Sequence, residues 1–119
     1  MSWKHYQDLV VWQKAMALTQ EVYQLVKLLP PEERFALSDQ MRRSAVSIPS
    51  NIAEGQGRQT DKEFKQFLSI AKGSVFEVET QLLICVRIQY LSEANIENAL
   101  SLCDELGKML TKMIVNFHF

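Results

Sequence analysis

The chain has 119 residues, enough for one domain with a single core and too few for two. Apolar residues make up 47% and charged residues 23%, a balance that excludes intrinsic disorder. A formal charge of −1 excludes a global positive field, so any attraction to nucleic acid needs a local patch.

The first helical pattern runs from about Asp8 to Leu29. Leu9, Trp12, Met16, Thr19, Val22, Val26 and Leu29 recur every three or four residues, and Val11, Ala15, Leu18, Val22 and Leu25 form a second stripe. Two stripes give a face wide enough for two neighbours or a partner chain. Pro30 and Pro31 stop the helix, because the residue before a proline is pushed out of helical geometry. Glu32 and Glu33 then stand where the dipole of a second helix favours negative charge. Its seam is Leu37, Met41, Ala45, Ile48, Ile52 and Gly55, and Gly55 and Gly57 are expected to close it in the left-handed conformation.

The third helix opens on Thr60-Asp61-Lys62-Glu63, which fits a reciprocal capping box between Thr60 and Glu63. Phe64, Phe67, Ala71, Val75, Val78, Leu82, Cys85 and Ile88 carry its seam to about Tyr90. Ser92 caps the fourth helix, with Leu91 and Ile96 as a hydrophobic staple, and Ile96, Leu100, Cys103, Leu106, Leu110, Met113 and Phe117 as its seam. Short connections join neighbouring antiparallel helices, and hairpin signals are missing. The expected fold is therefore all-α, an antiparallel up-and-down four-helix bundle spanning 1–119 as one domain.

Residues 42–58, RRSAVSIPSNIAEGQGR, break the pattern of an ordinary core helix. Pro49 removes the amide that would bond the Ala45 carbonyl, so the helix either breaks near Ser47 or continues with a proline kink. Ile52 keeps phase with Met41, Ala45 and Ile48, which favours the kinked second helix. The freed carbonyl would then be met by Ser, Asn or water. Ser44, Ser47, Pro49, Ser50, Asn51 and Gly55 suit close approach of another helix, either at an oligomer interface or inside one subunit.

Charge is segregated along the chain. Residues 40–75 hold six basic and three acidic residues, a balance of +3, whereas residues 76–107 hold one basic and six acidic, −5. Arg42, Arg43, Arg58, Lys62 and Lys65 are the candidate contacts for RNA or DNA, which would make binding fall steeply with salt.

Catalytic and metal-binding patterns are not found. The histidines are His5 and His118, and neither completes a Glu-x-x-His pair or lies shortly after an arginine as in RNA-cleaving helical bundles. Glu77 and Glu79 point to different sides of a helix. Gly55-Gln56-Gly57 lacks the further residues of a phosphate-cradling loop. Trp12, Tyr23 and the phenylalanines sit at core spacing, which favours packing over base stacking. Cys85 and Cys103 read as reduced core thiols. Without a leader or an apolar run of ~18 residues, the expected location is the cytoplasm and no membrane is involved. No enzyme activity and no cofactor is expected.

Five segments carry a family resemblance: LVVWQKA (9–15), LPPEERFAL (29–37), the 42–58 block, EFKQFLSIAKGS (63–74) and EVETQL (77–82). They closely resemble the four helix bundle proteins called 23S rRNA intervening-sequence proteins, a bacterial family. That family is related to the accessory variability determinant proteins of diversity-generating retroelements, whose basic pentameric barrels bind nucleic acid and a reverse transcriptase. The resemblance implies a kinked four-helix subunit that assembles into a closed ring, a homopentamer, and the expected role is a non-enzymatic scaffold presenting the basic residues named above to RNA or DNA. It also implies an alternative, a protein-interaction adaptor serving an enzyme such as a reverse transcriptase.

Overall fold

A computed structural model describes residues 5–116. After a 3-10 turn at Tyr6–Asp8 come α1 (Val10–Val26), a second 3-10 turn at Pro31–Glu33, α2 (Leu37–Gln56), α3 (Asp61–Arg87) and α4 (Glu93–Asn116). No strand occurs among the described residues. Each helix packs on the next, and α1 against α4 closes the square, so α1 and α3 lie across a diagonal. The bundle measures 47 × 23 × 22 Å, in keeping with the ~40 Å that 27 residues of α3 span. Phe117 of the expected α4 seam and His118 lie outside the described residues.

In α1 the second stripe is the core: Val11, Ala15, Leu18, Val22 and Leu25 are buried. Of the first stripe, Val26 and Leu29 join them, while Met16 is exposed and Trp12 and Thr19 are half-buried. The helix ends three residues before the expected Leu29, its last amides tightening into bonds such as Leu28 N to Leu25 O. Nor does α2 begin at Glu32. Glu33 instead caps it from outside, its carboxylate accepting from the Leu37 amide at 3.3 Å and from the Tyr90 hydroxyl at 2.7 Å. That second bond raises the Tyr90 pKa, because a neutral phenol is needed to donate.

α2 runs through Pro49 without a break. The Thr19 hydroxyl of α1 shares its one proton between Ala15 O of its own helix at 2.9 Å and the carbonyl that proline frees, Ala45 O, at 3.2 Å. The partner comes from a neighbouring helix, whereas the sequence suggested Ser, Asn or water. The end of α2 also differs. Gly57 has φ −83° and no glycine has a positive φ, so neither Gly55 nor Gly57 uses the left-handed conformation. Gly55 serves packing: a Cβ there would stand 2.6 Å from Phe67 Cβ and 3.0 Å from Phe64 Cδ1.

The Thr60 hydroxyl accepts from the Glu63 amide at 3.1 Å and donates to the Glu63 carboxylate at 3.1 Å, replacing the expected return bond to the Thr60 amide. α3 ends at Arg87 because Gln89 turns to φ 69°. Gln89 N then bonds Val86 O and Tyr90 N bonds Cys85 O, the Schellman pattern with glutamine in glycine's usual place. The cap of α4 is reciprocal. Asn95 N donates to Ser92 Oγ at 3.0 Å and Ser92 N to Asn95 Oδ1 at 2.9 Å, over a buried Leu91–Ile96 staple.

Cys85 and Cys103 are buried free thiols, as expected. Burial, reinforced by Glu79, pushes Cys103 up to about 12; burial and then Glu33 raise Cys85.

Two predictions follow from α2. Thr19→Val should cost about 1 kcal/mol in urea unfolding by removing the proton that Ala45 O shares, and less in a Pro49→Ala background, where residue 49 regains its amide. Gly55→Val should destabilise by about 1–3 kcal/mol, because the obstructing Phe67 Cβ cannot rotate away.

Candidate functional site

α3 is apolar on both sides. Its inner side buries Phe64, Leu68, Ala71, Val75, Val78, Leu82 and Cys85. On its outer side Ile70, Phe76, Leu83, Ile84 and Ile88 are each 42–52% exposed. Of the ten exposed positions between 69 and 88 these five are large and apolar, and only Glu77 and Arg87 are charged. Exposed apolar side chains gathered on one side of a helix are the kind of surface that interaction sites present.

Grooves flank this ridge. Between α2 and α3 one of about 380 Å³ is lined by Leu37, Gly73, Phe76, Thr80 and Ile84. Between α3 and α4 one of about 630 Å³ lies around Phe76, Cys103 and Gly107, edged by Lys72, Glu79, Asp104, Lys108 and Lys112. Another, of about 870 Å³, lies near the α3–α4 turn around Leu83, Ile96 and Leu100.

The small residues of α2 are mostly engaged inside the subunit. Ser44 is buried and accepts from Gln81 Nε2 at 3.0 Å, and the Ser47 hydroxyl bonds that of Ser74 at 2.9 Å. Asn51 donates to the Ser47 carbonyl and hydroxyl at 2.8 and 2.9 Å. Pro49 and Gly55 are buried, and Ser50 stays exposed. At Ser44, Ser47 and Gly55 a small residue admits α3 of the same chain.

The basic residues fall into two groups. Arg43 pairs with Asp39 at 2.9 Å, and Arg42 lies 3.9 Å from Asp39 while donating to Arg34 O at 3.3 Å. Arg58 pairs with Glu54 at 2.7 Å and lies over the Phe67 ring at 4.9 Å. Arg58 lies near Lys62 and Lys65 in sequence at the α2–α3 connection, ~20 Å along α2 from Arg43 at 1.5 Å per residue. Lys62 and Lys65 have no ion pair among the described residues.

Among the described residues no three His, Cys, Asp or Glu side chains cluster as metal ligands. His5 Nδ1 accepts from the Gln7 amide at 3.3 Å, capping the first 3-10 turn. No described helix is long and apolar enough to cross a membrane.

Of the outer α3 residues the helical seam includes only Ile88, and it is 48% exposed. The available signal was the apolar series Ile70, Phe76, Leu83 and Ile84 lying off that seam. The assignment of aromatic residues to packing also needs correction: Tyr23, Phe35 and Phe76 are 41%, 85% and 52% exposed, because they stand on the outward sides of their segments.

A solved crystal structure of a protein of unknown function, from the S23 ribosomal protein family of Bacteroides thetaiotaomicron VPI-5482, is similar to this chain. The two share 30% identity over 88% of this chain and 98% of that one, with a TM-score of 0.82. No curated protein matches the chain. The model of the family described as 23S rRNA-intervening sequence protein matches residues 7–112, and with the helices, the 42–58 block and the structural likeness in agreement, the chain belongs to that family.

Proposed function

We propose that the chain is a non-enzymatic scaffold subunit that assembles with copies of itself into a ring, a homopentamer. The observation that carries this reading is the uncovered outer face of α3, with five large apolar side chains about half exposed. A second, different patch favours a ring over a pair. Met16 and Tyr23 flank Thr19 along α1, Val46 follows Ala45 on α2, and all three are 40–41% exposed. Two unlike patches that meet make a heterologous contact, which closes into a ring when the rotation permits.

Light scattering on the purified chain should give about five times the 13.7 kDa subunit mass. Phe76→Glu combined with Ile84→Lys should give a monomer with unchanged helical circular dichroism, since neither side chain is in the core. A monomeric wild type overturns the ring. If that monomer co-purifies from its native cell with one stoichiometric protein, the adaptor reading takes its place.

Binding to RNA or DNA would rest on Lys62 and Lys65, which have no ion pair among the described residues, with Arg58 beside them, because Arg42 and Arg43 stand apart and share Asp39. In low-salt gel shifts, Lys62→Glu with Lys65→Glu should abolish binding and Arg43→Glu should leave it nearly intact. Equal losses from both would refute this division.

A further inference from the structure

Phe35 is 85% exposed, more than any other large apolar side chain described. It is also held in place. Ala36 N donates to Glu33 O at 3.0 Å, Arg42 donates to Arg34 O at 3.3 Å, Glu33 is fixed by Leu37 and Tyr90, and the Arg34 guanidinium lies 5.4 Å from the Phe35 ring centroid. An aromatic ring presented by an ordered loop loses little conformational freedom on binding, which is the property of an interface anchor.

We infer that Phe35 of one copy seats in the α3–α4 groove of the next copy, near that copy's α3–α4 turn. This inference rests on the ring reading above. The groove holds about 870 Å³ between Leu83, Val86, Ile96 and Leu100, with Glu93, Glu97 and Arg87 on its rim. Its floor suits an aromatic ring. Its rim complements the charges beside Phe35: Arg34 faces Glu93 and Glu97, and Glu32 faces Arg87. Leu83 belongs to the outer α3 face, so the seat is continuous with that surface.

Height supports the same pairing. The Tyr90 hydroxyl of the α3–α4 turn bonds Glu33, two residues before Phe35, which places the anchor and the groove at one end of the bundle. In a ring whose bundles stand parallel to its axis, rotation carries no translation along that axis. Anchor and seat must therefore lie at similar heights, and both stand at the end that the Tyr90–Glu33 bond joins.

Sedimentation of the full chain over a concentration series tests the inference. Phe35→Ala should raise the dissociation concentration at least about tenfold, as loss of an anchor does, with unchanged circular dichroism and Tm at concentrations where both proteins are monomeric. Arg34→Glu and Glu97→Arg should each weaken assembly, and the double variant should regain most of the loss. Wild-type assembly by Phe35→Ala, with dissociation by Phe76→Glu/Ile84→Lys, overturns the seat and leaves the ring standing. Failure of the double variant to recover overturns the charge pairing that orients the seat. A wild type that never assembles overturns ring and seat together.

Discussion

Gly55 brings the end of α2 so near α3 that a single added carbon would collide with Phe67 Cβ. Ser44 and Ser47 keep the same closeness farther along, answered by Gln81 and Ser74. Much else follows from that approach. α3 carries large apolar side chains on its outer side as well as its inner one, and only the inner side is buried against the small face of α2 and the seam of α4. The remaining bulk, from Ile70 to Ile88, is turned outward. The surface that recommends this chain as an assembling subunit is thus a by-product of how tightly it packs within itself.

Pro49 obeys the same economy of space. A proline in mid-helix leaves a carbonyl without its amide, and an orphaned carbonyl in a bundle interior is costly. Thr19 reaches across from α1 to meet it. A position that weakens α2 on its own terms thereby joins two helices, and it does so beside Met16, Tyr23 and Val46, the second exposed patch.

Much of the fold was legible in the sequence because helical spacing and caps are local. Thr60 with Glu63, Ser92 with the Leu91–Ile96 staple, and the seams of α3 and α4 needed only neighbours within a turn or two. What could not be read depended on where the chain returns. Whether Ser44 and Gly55 faced another subunit or α3 of their own was undecidable without knowing which helix lay beside them. The Thr19–Ala45 bond spans 26 residues and the Tyr90–Glu33 bond spans 57, so neither leaves a trace in periodicity. The candidate site was less legible than the fold for the same reason. The basic residues share a segment, yet α2 carries Arg43 and Arg58 to different ends, and apolar side chains off the main seam look like extra core until the neighbours are counted.

The bond between Tyr90 and Glu33 gives the bundle unequal ends. At one end a single carboxylate secures both the α1–α2 connection and the α3–α4 turn, so the two open or close as one cooperative unit. At the other, α2 passes to α3 through residues 57–60, where Arg58 pairs with Glu54 and lies over Phe67. Severing that one carboxylate would free two connections together, whereas at the far pole the Gly55–Phe67 approach and the Thr60–Glu63 cap hold the chain by separate means.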